Sequence, residues 1–114
     1  MAAADNYVVK LGPDSKLLGV VEVRAVQWYQ CEIDHLSVQE NVGRKGIGSS
    51  LLKEAEARVV ELGRRIAQCT IRIGNEASEG LFKKFGYAPT VTFFNKYSGN
   101  NVTVYQKALV TARG

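Results

Sequence analysis

Hydrophobic and polar positions alternate with a period of two over the first third of the chain, switch to three- and four-residue steps in the middle, and return to period two near the end. The spacing predicts a short strand at Tyr7–Leu11, stopped by Gly12-Pro13-Asp14-Ser15, and a second strand at Leu17–Val26. In the second strand Val21, Val23 and Ala25 form one row, and Leu18, Val20, Glu22, Arg24 and Val26 a wetter one. After a turn near Gln27 to Gln30 comes a third strand, Cys31–Val38, with Ile33, His35 and Ser37 on one parity and Glu32, Asp34, Leu36 and Val38 on the other. Three sequential strands with tight connections make a meander.

The period then changes. Ile47, Leu51, Leu52, Ala55, Val59 and Leu62 form a helical stripe, Glu54 and Arg58 sit at i,i+4 on the polar side, and Gly63 is the stop. Ile66–Ile73 follows as a strand, parallel to Cys31–Val38 by the βαβ rule. Asn75 caps a second helix running to Phe85, with Glu76 and Glu79 in its first turn and Ala77, Leu81, Phe82 and Phe85 as apolar positions. Two more strands, Thr90–Tyr97 and Val102–Leu109, are joined by Ser98-Gly99-Asn100-Asn101. The order β-β-β-α-β-α-β-β predicts an α+β, or mixed α/β, domain around one sheet.

Composition narrows this pattern. The 114 residues, 46% of them hydrophobic and 23% charged, fit one domain covering positions 1–114. With no apolar run of signal-peptide or membrane-spanning length, the expected location is cytoplasmic, without a membrane partner. Cys31 and Cys69 fall in different strands and read as buried thiols. One histidine, His35, and no ligand-spaced cluster of Cys, His and carboxylates predict no metal, and His35 reads as an ordinary strand residue. The net charge of +4 is spread along the chain, and no nucleic-acid module signature appears, so nucleic acid is not an expected partner.

The candidate chemistry lies between Glu32 and Leu52, where a strand runs through a glycine-rich basic turn into a helix. The first turn of such a helix presents unpaired N–H groups at the positive end of its dipole and suits a phosphate. Gly43-Arg44-Lys45-Gly46-Ile47-Gly48 supplies that turn. It is not a Walker loop, lacking GKS or GKT, nor a dinucleotide fingerprint.

Paired with Asn75-Glu-Ala-Ser-Glu-Gly-Leu-Phe-Lys-Lys-Phe-Gly-Tyr87, this segment resembles the GNAT superfamily of N-acetyltransferases. That family combines Arg/Gln-x-x-Gly-x-Gly/Ala with Asn-x-x-Ala-x-x-Leu-Tyr-x-Lys-x-Gly-Phe, and Asn75, Leu81, Lys84 and Gly86 match the second motif outright. The resemblance, over roughly Leu17 to Leu109, implies a mixed, mostly antiparallel sheet whose central parallel pair splays apart. It implies acetyl-CoA as co-substrate, with Gly43 at the entrance of the cradle and the pyrophosphate on the amides of Arg44, Lys45, Gly46, Ile47, Gly48 and Ser49. Pantetheine would run along Leu36, Ser37 and Val38, whose backbone would polarise the thioester, with Asn75 and Phe82 as further coenzyme contacts.

The implied reaction is direct attack of a primary amine on the thioester. An alkyl ammonium, with a reference pKa of about 10.4, must first lose a proton. Glu32 matches the strand position of a glutamate base in some members, with Asp34 as substitute. The acceptor is a small-molecule amine or a protein lysine or N-terminus. Two departures stand out: Gly43 occupies the Arg/Gln position, and Phe82 replaces a tyrosine thought to protonate the thiolate, leaving Tyr87 or Tyr97 as stand-ins. Few residues precede the first hairpin, so the acceptor cleft is expected to be open or closed by a second copy in a dimer. Phe82 and the short amino end also support the alternative of a non-catalytic acyl-CoA-binding or partner module.

Overall fold

The computed structural model describes residues 5–39 and 46–109. The meander forms as β1 (Asp5–Leu11), β2 (Leu17–Gln27) and β3 (Gln30–Val38), with a two-residue Trp28-Tyr29 turn between the last two. Then follow α1 (Ile47–Glu61), β4 (Ile66–Arg72), α2 (Glu76–Lys84), β5 (Ala88–Asn95) and β6 (Asn100–Ala108). The expected order of elements holds throughout. β5 starts two residues earlier than its Thr90 reading, and β6 starts at Asn100 within the segment read as the loop.

The six strands make one sheet in the order β1-β2-β3-β4-β6-β5. Every neighbouring pair is antiparallel except β3 and β4, which are parallel as the crossover rule requires. The crossovers β3-α1-β4 and β4-α2-β5 advance in the same direction along the sheet, and residues of α1 and α2 share one core cluster, so both helices lie on one face. Beneath them lies a single core. Leu51, Leu52, Ala55 and Val59 of α1 meet Val21 and Val23 of β2, Cys31 and Ile33 of β3, and Ala67, Cys69 and Ile71 of β4, while Phe82 and Tyr87 extend the same cluster. Close approach of α1 depends on Gly19, where a Cβ would stand 2.9 Å from both Leu51 Cδ1 and the Ser37 carbonyl oxygen.

The opposite face carries the wetter row of β2 and the polar residues paired with it. Arg24 lies across from Glu32 and Glu22 across from Asp34, while Gln68 lies across from Gln106. Expected and observed ion pairs differ on α1: Glu54 pairs with Lys10 of β1 and Arg58 with Glu61, in place of a Glu54–Arg58 pair. Among the described residues no helix is long and apolar enough to cross a membrane.

Candidate functional site

The site begins where β3 and β4 part. Their pairing covers only Gln30–Ile66, Cys31–Ala67 and Glu32–Gln68. Past that point β3 stays on the β2 ladder, but with an irregularity: Val20 pairs with Ser37 and Glu22 with Asp34, so three steps on β3 match two on β2. The extra residue is a β-bulge, and His35 within it has φ 55, a left-handed backbone that a side-chain-bearing residue seldom adopts. A bulge re-aims the strand and reverses its parity. Thus Ile33, Leu36 and Val38 all pack on the helix-side core, which corrects the single alternation read across Cys31–Val38. Beyond Glu32 the β3 backbone groups directed toward β4 have no partner there.

Two adjoining cavities occupy the gap. One, about 180 Å³, lies between Ile33–Leu36 and Cys69–Arg72, with Asn75, Ser78 and Phe82 completing its lining. The other, about 350 Å³, runs from Leu36 and Val38 past Ala77, Ser78 and Leu81 to Gly46, Ile47, Gly48 and Ser49 at the start of α1. They share Leu36 and Ser78, so the two cavities adjoin between the fork and the helix N-terminus.

Among the described residues nothing occupies that N-terminus. Gly46 holds the N-cap position at φ 76 and ψ 15; among the described residues no side chain caps the helix, and no acidic residue lies in its first turn. Ile47, Gly48 and Ser49, whose amides have no intrahelical partner, line the cavity at the positive end of the helix dipole. α2 differs: the Asn75 side chain accepts a hydrogen bond from the Ser78 amide at 3.3 Å, and Glu76 and Glu79 lie in the first turn.

Of the residues expected to meet a coenzyme, Leu36, Val38, Gly46, Ile47, Gly48, Ser49, Asn75 and Phe82 line these two cavities. Ser37 does not; its side chain is exposed on the side of its cross-strand partner Val20. Gly43, Arg44 and Lys45 lie outside the described residues. Tyr87 and Tyr97 line neither cavity: Tyr87 is buried edge-on against Phe82 with ring centroids 5.0 Å apart, and Tyr97 is fully exposed.

Glu32 is the last residue before the fork. Its carboxylate accepts hydrogen bonds from Gln68 Nε2 at 3.1 Å and Thr70 Oγ1 at 3.5 Å, and Gln68 is held in turn by Gln106 at 2.6 Å. Burial raises its pKa, with Asp34 adding in the same direction and the Gln68 hydrogen bond, Arg24 and Thr70 opposing. Asp34 lines the cleft and is hydrogen-bonded by Arg24. Nearby, Glu22, 4% exposed, meets His35 Nδ1 at 2.8 Å. Glu22, expected only as part of a wetter strand row, and His35, expected as an ordinary strand residue, are brought together by strand pairing and the bulge, which no local spacing records. Glu22, Asp34 and His35 place potential ligand atoms within 4.8 Å of one another, a cluster invisible in the linear chain.

A family model described as the acetyltransferase (GNAT) family matches residues 2–87. No curated protein matches the chain in sequence. Among solved structures, an acetyltransferase from Bacillus cereus is 27% identical with a TM-score of 0.78, covering 92% of this chain and 73% of its own. A GNAT family acetyltransferase from Elizabethkingia anophelis, solved with acetyl-CoA bound, is 15% identical with a TM-score of 0.79, over 86% of this chain and 72% of its own. Nourseothricin acetyltransferase, at 17% identity, reaches a TM-score of 0.85 over 95% of this chain and 67% of its own.

Proposed function

The chain belongs to the acetyltransferase (GNAT) family, and from that premise we propose that it acts as a single domain moving an acetyl group from acetyl-CoA to a primary amine by direct attack. The observation that carries this reading is the parting of β3 and β4 immediately after the Glu32–Gln68 pair, with adjoining cavities between the fork and the N-terminus of α1, which no described side chain caps. The pyrophosphate sits on the amides of Ile47, Gly48 and Ser49, with the turn at Gly43, Arg44 and Lys45 contributing positive charge. Pantetheine follows the unpaired edge of β3 along Leu36–Val38, and an amide there polarises the thioester carbonyl.

The amine enters from the polar face of the sheet, and Glu32 takes a proton from it, directly or through water. Glu32's support by Gln68, Thr70 and Gln106 fixes its orientation, and its raised pKa improves it as a proton acceptor. The acceptor is a small amine or a protein lysine or N-terminus, and the open polar face admits either. A second copy closing that face is the homodimer arm of the same proposal. Two buried free thiols support a reducing, cytoplasmic setting.

Phe82 favours a second reading. It is 4% exposed, lines the cleft, and has no proton to give a departing thiolate, which suits a domain that binds acyl-CoA without turnover. Thiol release from acetyl-CoA across a panel of amines, with calorimetry of acetyl-CoA binding alongside, separates the two. Acceptor-dependent release is the expected result. Binding without release for any amine overturns the enzymatic reading in favour of the binding module, and no binding overturns both.

A further inference from the structure

A primary ammonium must lose two protons to become a secondary amide: one before it can attack, and one as the new C–N bond forms and the thiolate leaves. The departing sulfur takes one of these, and the other goes to solvent. Glu32, half-buried and fixed between Gln68 and Thr70, can serve one transfer per turnover. The molecule holds a second group built for the other.

That group is His35. It occupies the left-handed position of the β3 bulge, at φ 55, and backbone strain in a side-chain-bearing residue persists where the surroundings enforce it. Its Nδ1 lies 2.8 Å from Oε1 of Glu22, whose side chain is only 6% exposed, while the imidazole itself is 76% exposed. A buried carboxylate accepting from Nδ1–H fixes the tautomer that leaves Nε2 free to accept a proton. His35 also belongs to the lining of the cleft at the fork. Arg24 stands 4.0 Å from Glu22 Oε2 and hydrogen-bonds Asp34, so this cluster already contains its own cation.

On the acetyltransferase reading above, we infer that His35, positioned by Glu22, is the acceptor of the first proton, taken from the ammonium at the cleft mouth and released to solvent. In the first step the N–H bond of the ammonium breaks, its electron pair stays on nitrogen, and Nε2 gains the proton, which then passes to water. In the second, the free amine attacks the thioester, Glu32 accepts the remaining proton, and the C–S bond breaks. The thiolate recovers that proton from Glu32, so coenzyme A leaves as the thiol and both bases are restored. Charged and titratable groups around the ring are Glu22 and Arg24 on β2, Glu32 and Asp34 on β3, Arg72 across the cleft on β4, and Tyr7 opposite Glu22 on β1. Asn75 at the cap of α2, and Ser78 and Phe82 within it, add uncharged groups to this lining.

The test uses acceptor basicity. A primary alkylamine that the wild type acetylates is compared with its β,β,β-trifluoro analogue, which is already mostly the neutral amine near pH 7 and needs no first acceptor. His35→Gln should lower kcat/KM for the alkylamine about 10²-fold and change that for the fluorinated amine less than about twofold. Glu22→Ala should show the same selective loss, smaller in size, because it removes the positioning of the ring and not the ring. Acetyl-CoA affinity, read by calorimetry, stays unchanged in both variants and reports that each is folded. Equal losses for the two amines, or none for either, overturn the assignment while the acetyltransferase reading stands. Absence of acceptor turnover in the wild type overturns both.

Discussion

The two helices begin in opposite ways. α2 starts with Asn75 bonded to the Ser78 amide and with two glutamates in its first turn, so its dipole and one of its free amides are met from within. α1 starts at a left-handed glycine with neither device among the described residues, and its first amides open into a cavity. Leaving those groups unmet costs the fold stability that a cap and acidic residues would return, about 1 kcal/mol or more. On the proposed reading, the helix that no described side chain caps is the one that receives an anion from outside.

Converting α1 to the α2 arrangement breaks the contrast most sharply. Ser49→Asp puts a carboxylate in the first turn, where it compensates the dipole and repels a pyrophosphate. Acetyl-CoA affinity should fall about 10²-fold, since like charges near 4 Å at a protein surface are worth a few kcal/mol, while the thermal midpoint holds or rises. Calorimetry and a melting curve on the same variant read the opposed effects. Unchanged affinity would show that α1 does not hold the anion.

Next in size is Glu32→Gln, which tests the other end of the same path. Turnover should drop by about 10²-fold with coenzyme affinity intact. Stability moves the other way. The folded-state pKa of Glu32 is raised, chiefly by burial, so its contribution is fully present below the unfolded-state value of about 4.3 and is lost as pH rises through the folded-state value. At neutral pH the half-buried carboxylate is a liability, and Gln should stabilise slightly, a difference that closes as pH falls below the ordinary carboxylate range. Denaturant titrations at pH 7 and pH 4 measure this. Turnover unchanged in the variant would remove Glu32 as an acceptor.

How much of this was legible in the chain depended on whether the signal was local. The apolar stripe from Ile47 to Leu62 follows from helical spacing, and the bare start of α1 from a glycine-rich turn before that stripe, so both could be read directly. The fork could be expected only through resemblance, because nothing in Cys31–Val38 announces a bulge: the alternation reads smoothly across His35, and the inserted residue shows itself only when β3 is set against β2. The network of Glu22, Arg24, Asp34 and His35 failed to appear for the same reason. Its members are 10 and 13 residues apart and meet through hairpin register. Lys10 likewise reaches Glu54 across the fold, and Arg58 turns to Glu61, where local spacing had coupled Glu54 with Arg58.

The smallest expected effect lies at the helix that has its cap. Asn75 both accepts from the Ser78 amide and lines the cleft, so one substitution asks whether it serves the helix or the ligand. Asn75→Ala removes the acceptor and frees one amide, which costs about 1 kcal/mol, whereas Asn75→Asp keeps an oxygen in the capping position and adds a charge favourable to the dipole. If Asn75 is mainly a cap, the alanine variant is destabilised, the aspartate variant is not, and acetyl-CoA affinity changes less than about threefold in the alanine variant. A loss of affinity with no loss of stability in Asn75→Ala would reverse the assignment. It would also weaken the contrast between the helices, since α2 too would then be committed to the coenzyme.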